Sequence, residues 1–208
     1  MALTGLILLG FVILHLAGNL LVYQGPEALN AYAKKLRDLG PLLWVARAGL
    51  LATVSVHFWL AIVLTKENRA ARPRGYAVFR PTHTTASART MMVSGLLLTA
   101  FIIYHLLHFT FQIAHPEVAH LTDAQGHHDV YRMVVLSFHQ PPISRVYIVA
   151  MALLFSHLRH GIASACQSLG VNNERTLAAV QCVGAILSWM LFLGYVSIPL
   201  AVLFGIIQ

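Results

Sequence analysis

Four histidines sit inside long apolar runs of this chain: His15, His57, His105 and His157. An imidazole in hydrocarbon is costly unless it has a partner, so each of them is a functional-site hypothesis. A haem iron takes two axial ligands on opposite faces of a flat ring, and neutral imidazole serves well in that role. Two histidines from facing helices at one depth supply this geometry, and helix bundles commonly build cofactor sites that way. The plainer reading is that each imidazole only bonds a neighbouring carbonyl or hydroxyl. Four histidines on four separate runs weigh toward two bis-imidazole haem sites. The stretch Tyr147–Gly170, with His157 near its middle, is the one around which the chain is organised.

The elements that must position these rings follow from composition. The 208 residues are 58% hydrophobic and 10% charged, with a mean hydropathy of +0.71. Soluble domains carry about 25% charged residues, so the chain reads as a membrane protein. A spanning helix needs about 20 mostly apolar residues. Five runs qualify, at 3–23, 42–65, 90–113, 143–168 and 177–207. They are too long, and alternate too little, for a lipid-facing barrel. The expected fold is all-α, a single membrane domain over 1–208 built as a bundle of five transmembrane helices. No signal peptide is read: the chain enters its first apolar run almost at Met1, as a start partway into a longer chain would also give.

The net charge of +7 belongs to topology, not to nucleic acid. Between the second and third runs lie Lys66, Arg69, Arg72, Arg74, Arg80 and Arg89 against one acid, Glu67. This cluster places 66–89 on the cytoplasmic side and the N-terminus with it. Lys34, Lys35 and Arg37 on the opposite side are a smaller, contrary signal. Gly25-Pro26 ends the first run. Leu29, Tyr32, Ala33 and Leu36 then repeat at helical spacing, giving an amphipathic helix over 27–37 on the membrane surface. Residues 114–142 read as a long outer loop with five histidines: His115, His120, His127, His128 and His139. Their spacing fits no tight metal site. Cys166 and Cys182 read as buried thiols. The last run contains Pro199, where a kink or tilt is expected.

Depth follows from a rise of about 1.5 Å per residue. His15 and His105 lie roughly 18 and 22 Å from the inner surface. His57 and His157 run inward and lie roughly 21–23 Å from the outer surface, nearer the cytoplasm. The antiparallel order thus sorts an outer pair, His15 with His105, from an inner pair, His57 with His157. Gly18 and Gly161 lie on the faces of His15 and His157, where a missing side chain would give a macrocycle room. His108 and His160 are three residues beyond His105 and His157, and are alternative ligands or contacts to propionate, quinone or headgroup.

With these residues in view, the chain resembles the five-helix, dihaem cytochrome b anchor of succinate:quinone oxidoreductase and quinol:fumarate reductase. The matching stretches are His15-Leu-Ala-Gly-Asn19, Gly25-Pro-Glu-Ala-Leu-Asn-Ala-Tyr-Ala33, Tyr104-His105-Leu-Leu-His108-Phe109, Asp129-Val-Tyr-Arg-Met-Val-Val135 and 147–170. The resemblance implies two haem b groups, the proximal on His57 and His157 and the distal on His15 and His105. It implies a flavoprotein subunit and an iron–sulfur subunit docked on the cytoplasmic face of a bacterial inner membrane. Electrons would reach quinone, menaquinone in most relatives of this type, and the whole complex could form a higher oligomer. No succinate site is expected in this chain, which would act as the membrane subunit of the enzyme.

Quinone carbonyls need hydrogen-bond donors. Glu27, Tyr32, His108 and Tyr131 are the outer candidates, and a site near Arg89 or Ser94 is the inner alternative. Arg159 would pair with a haem propionate or snorkel to headgroups. The basic segment that commonly precedes the first helix in the family is missing here. Two other readings stand beside this one. The chain could be the cytochrome b anchor of a hydrogenase or formate dehydrogenase, or a haem-free anchor or small transporter.

Overall fold

A computed structural model describes residues 1–71 and 86–208. Five helical segments in it are long and apolar enough to cross a membrane: Ala2–Gln24, Pro41–Ala70, Met91–Thr110, Pro141–Ser168 and Glu174–Leu203. Helix α1 (Ala2–Asn19) runs on into a 3-10 turn to Gln24. Helix α2 (Pro26–Asp38) is the short amphipathic one, and α3 spans Pro41–Ala70. A single turn, α4 (Ala86–Arg89), leads into α5 (Met91–His105), which widens into a π-helical turn over Leu106–Thr110. Helices α6 (Val130–Phe138), α7 (Pro141–Ser168) and α8 (Glu174–Leu203) complete the chain. Among the described residues there is no strand beyond one antiparallel bridge, Thr122 to His128.

Local chemistry explains most boundaries. Pro26, Pro41 and Pro141 stand at helix starts, where the missing N–H would have no intrahelical partner anyway. Asn173 caps α8 by accepting from the N–H groups of Arg175 and Thr176 at 3.0 and 3.4 Å. Gly40 turns the chain into α3 at φ 54°, a conformation that L side chains resist.

Lipid gives packed helices no hydrophobic drive toward one another, so close approach of small residues matters more. On α8, Gly184 lies against Ile162 of α7, where a Cβ would sit 3.2 Å from Ile162 Cγ2. One turn on, Ser188 is fully buried and bonds back to the Gly184 carbonyl at 2.7 Å. Gly194 admits Leu16 of α1, whose Cδ2 would lie 2.7 Å from an added Cβ. By contrast α3 has no fully buried residue and touches only one side of the bundle, chiefly α1 and α5. We call the end carrying the 66–89 connection the inner end. The main buried cluster lies at the other, outer end, where Val22, Leu29, Val134, Phe138, Tyr147 and Val202 meet.

Several expectations are refined. The third span ends at Thr110, three residues short of 113, and the fifth begins at Glu174 and ends at Leu203. The span 114–142 is not loop throughout: it contains α6, started by Asp129, whose Oδ1 accepts from Arg132 N at 2.9 Å. Pro199 lies inside α8, which continues past it. Both cysteines are free thiols, but only Cys166 is partly covered; Cys182 is exposed because it lies on the outward face of α8. Of the basic cluster, Lys66 and Arg69 end α3 and Arg89 ends α4. Arg72, Arg74 and Arg80 lie outside the described residues.

The outer segment hangs on Gln112, which takes a left-handed φ of 58°. Its amide reaches His128 Nε2 at 2.7 Å and its carbonyl accepts from His120 N at 3.3 Å. His128 Nδ1 donates to the Leu121 carbonyl at 3.1 Å, so the ring is held neutral between a donor and an acceptor. Burial, and then the charge of Arg37, hold His128 below its ordinary value of 6.5. The unfolded segment therefore takes up a proton first, and local stability is present above about pH 6.5 and lost as pH falls below it. Hydrogen exchange of residues 121–129 should accelerate between pH 7.5 and 5.5 after correction for intrinsic rate, and His128→Asn should remove that dependence.

Candidate functional site

The four histidines of the spans divide by level as the helices alternate in direction. At the inner end His57 of α3 meets the start of α1: its Nδ1 lies 3.0 Å from Thr4 Oγ1. His157 of α7 meets the start of α5 in the same way, Nδ1 to Ser94 Oγ at 3.1 Å. The two imidazoles are within electrostatic range of one another. At the outer level His15 and His105 meet edge to face, with ring centroids 5.9 Å apart and planes at 85°.

The hydroxyl partners decide where the protons sit. Thr4 Oγ1 donates its own hydrogen to the Met1 carbonyl at 2.8 Å, and Ser94 Oγ donates to the Met91 carbonyl at 3.0 Å. Each oxygen can therefore only accept from the imidazole. His57 and His157 then carry hydrogen on Nδ1 and present an unprotonated Nε2. That is the tautomer a metal-bound histidine needs, with its other nitrogen oriented by a hydrogen bond.

The same construction occurs twice. Thr4-Gly5 precedes His15 on α1, and Ser94-Gly95 precedes His105 on α5, with hydroxyl and imidazole eleven residues apart in each case. Eleven residues are about three helical turns, so inner hydroxyl and outer imidazole lie near one face, roughly 16 Å apart along it. The inner rings lie beside these glycines, at distances that an added Cβ would fill as ordinary contact. A Cβ at Gly5 would be 3.4 Å from His57 Cε1, and one at Gly95 would be 3.5 Å from His157 Cε1. Helices α1 with α3 and α5 with α7 thus form two similar antiparallel pairs around the two levels.

The outer rings are set by aromatic packing and a longer chain of bonds. Phe11 stacks on His15 at 5.2 Å, and Tyr195 lies 6.3 Å away. The Tyr195 hydroxyl donates to the Val12 carbonyl at 2.7 Å, tying α8 to α1 one turn before His15. His105 Nδ1 is 3.4 Å from the Tyr147 hydroxyl, which is also 3.0 Å from His108 Nδ1. Tyr147 packs edge-on to Phe101 and Phe138 at 5.0 and 5.1 Å. Such pairs are worth about 0.5–1.5 kcal/mol each beyond area, which makes this phenol a rigid support.

These four residues fit haem by the chemistry of their donor set. Two imidazoles on a shared metal with bonds of about 2 Å place their centroids roughly 6 Å apart. The observed outer separation of 5.9 Å matches that figure. Three of the four rings have Nδ1 on a hydroxyl, which leaves Nε2 for iron. His15 makes no ring hydrogen bond among the described residues. A purely polar packing role would require neither the outer histidine pair nor the repeated tautomer.

Other sequence candidates fall in different places. His108, 1% exposed, has both nitrogens engaged, Nδ1 with Tyr147 and Nε2 with Ser137 Oγ at 3.0 Å. Gly18 does not open room for a macrocycle: the Tyr32 ring fills that space, within 2.6 Å of where a Cβ would be. Glu27 is exposed in the first turn of α2. The Tyr131 hydroxyl donates to the Gln208 carbonyl at 3.2 Å. Two open cavities lie at the outer end, one of about 470 Å³ lined by Lys34, Arg37, Asp38, Gly126, His127 and His128, and none of the four outer quinone candidates lines either. Arg159 and His160 lie near the inner end of α7, Arg159 exposed and His160 half-buried. Gly161 has only Met91 Cε near it, at 4.0 Å. Ser94 of the inner alternative is spent on His157.

Sequence reasoning missed Thr4, Ser94 and Tyr147 as histidine partners. Hydroxyls inside apolar runs were the available signal, since a polar side chain in a span needs a bond as much as an imidazole does. Compared with protein-family models, with curated proteins and with solved structures, the chain matches none.

Proposed function

We propose that this chain is the membrane anchor and electron-transfer subunit of a succinate:quinone oxidoreductase or quinol:fumarate reductase, holding two b haems. The observation that carries the reading is the outer pair: the His15 and His105 rings meet 5.9 Å apart from separate spans. The inner pair adds a donor set of the same kind, with Nε2 left free on His57 and His157 by Thr4 and Ser94. When bound, the haems would supply one-electron transfer between an iron–sulfur subunit at the inner end and quinone.

The chain's own part is to hold and orient. Thr4 and Ser94 fix the inner imidazoles in one tautomer and raise their basicity as ligands. Phe11, Tyr195 and Tyr147 fix the outer rings. Apolar helices exclude water and bring both sites to different depths of one bundle. The sidedness, a cytoplasmic inner end in a bacterial inner membrane, rests on Lys66, Arg69 and Arg89 at that end.

A reduced-minus-oxidised optical spectrum of the purified chain tests the cofactor. A b-type α-band and a pyridine haemochrome count of two per chain are expected. A colourless protein, reconstituted with haemin and still colourless, would leave only an apolar anchor. Co-purification separately tests the partner: a flavoprotein that oxidises succinate supports the assignment, and a hydrogenase or formate dehydrogenase subunit in its place overturns it.

A further inference from the structure

The bond from His105 to Tyr147 is the first link of a longer buried chain whose further links the electron-transfer reading does not use. Ser137 Oγ donates to the Met133 carbonyl at 2.7 Å, so it can only accept from His108 Nε2–H. His108 Nδ1 is then bare and accepts from the Tyr147 hydroxyl at 3.0 Å. With its hydrogen committed there, Tyr147 can only accept from His105 Nδ1–H, at 3.4 Å. The direction is thus fixed from end to end: His105 to Tyr147, to His108, to Ser137, to a backbone carbonyl of α6. Ser137 is fully buried, and His108 and Tyr147 are 1% and 7% exposed. The inner acceptors differ. Thr4 and Ser94 each end after one further bond, on a carbonyl at the start of their own helix.

We infer that Tyr147, backed by His108 and Ser137, is a positioning residue that orients His105 and sets the electron affinity of the outer site. The inference rests on the dihaem reading above. Donation by Tyr147 to His108 makes its oxygen a better acceptor, because bonds in a chain polarise one another. A better acceptor for Nδ1–H makes His105 a more basic ligand, which favours the oxidised metal and lowers the potential. The relay also makes this tuning depend on α6, an element of the outer cap and not of the spans. Plain packing by Tyr147 would predict no such selectivity between two sites.

The test is a redox titration of the purified complex, followed optically and by low-spin electron paramagnetic resonance. His157→Ala, which keeps only the outer haem, assigns the two signals. Tyr147→Phe keeps the ring and removes the hydroxyl. It should shift the outer midpoint upward and alter the outer resonance, with the inner signal unmoved. Ser94→Ala should do the reverse, moving the inner signal alone. Ser137→Ala removes one hydroxyl at the far end and should move the outer midpoint in the same direction by less. If Tyr147→Phe loses the outer haem, Ser137→Ala decides. Two haems with unchanged outer potential and resonance in Tyr147→Phe, or in Ser137→Ala where the first variant fails to load, overturn the inference. Absence of haem from the native chain is a separate result and defeats the proposed function itself.

Discussion

On the proposed dihaem assignment, His157→Ala is expected to carry one haem per chain in place of two. On that assignment the imidazole is one of two ligands at the inner level, and its loss leaves His57 alone. Among the described residues nothing nearby replaces it: His160 lies three residues nearer the inner end, and Ser94 offers only a hydroxyl. The outer pair lies roughly three helical turns away, beyond the range at which substitutions usually couple. Its own support, from Phe11, Tyr195 and Tyr147, shares no residue with the inner site. His105→Ala should give the complementary loss, with the inner haem kept. Pyridine haemochrome analysis normalised to protein reads the stoichiometry, and far-UV circular dichroism checks that the helices persist. Two haems retained in His157→Ala would mean that the inner pairing is wrong. Retention of both haems in Ser94→Ala is also expected, since orientation tunes a ligand that remains present.

How far the sequence carried the reading depends on which interaction decides each feature. The five spans were legible because length and apolarity alone specify a membrane helix. The two histidine levels were legible because rise per residue and alternating direction are nearly fixed quantities, and His15 does meet His105. Helix α6 was missed because it is only nine residues long and sits among histidines and acids that look like loop. Its start signal, Asp129 as cap, was present but needed Asn30 from α2 to become clear. The repeated Thr4-Gly5 and Ser94-Gly95 pairs are plain in the sequence. They acquire meaning only when His57 and His157 arrive from other helices. Gly18 shows the opposite failure. A glycine three residues after His15 suggests room for a flat ring, yet the ring that takes the room is Tyr32. Which of several apolar or aromatic groups fills a gap is settled by tertiary packing, and one-dimensional spacing does not contain it.

Asn30→Ala is expected to destabilise the outer cap by about 2–4 kcal/mol. Asn30, 8% exposed on α2, makes two bonds to α6 from one amide. Its Nδ2 donates to Asp129 Oδ1 at 3.0 Å, and its Oδ1 accepts from Tyr131 N at 2.9 Å. The first is charge-assisted and worth about 1.5–3 kcal/mol, and the second about 1 kcal/mol, with more lost if the Tyr131 N–H stays dry. The apolar contacts of Leu29 and Val22 with Val134 and Phe138 remain, so the cap should loosen without unfolding the spans. Asn30→Asp provides the contrast. It keeps an acceptor for Tyr131 but sets a second carboxylate against Asp129, so its destabilisation should grow as pH rises and both ionise. Thermal unfolding in detergent, read beside hydrogen exchange in 130–138, separates cap from spans. If Asn30→Ala shifts neither by more than about 0.5 kcal/mol, the apolar cluster alone holds α2 to α6. The amide would then be satisfying buried backbone without selecting the arrangement, and the coupling of α6 to the outer histidines would have to run through Ser137.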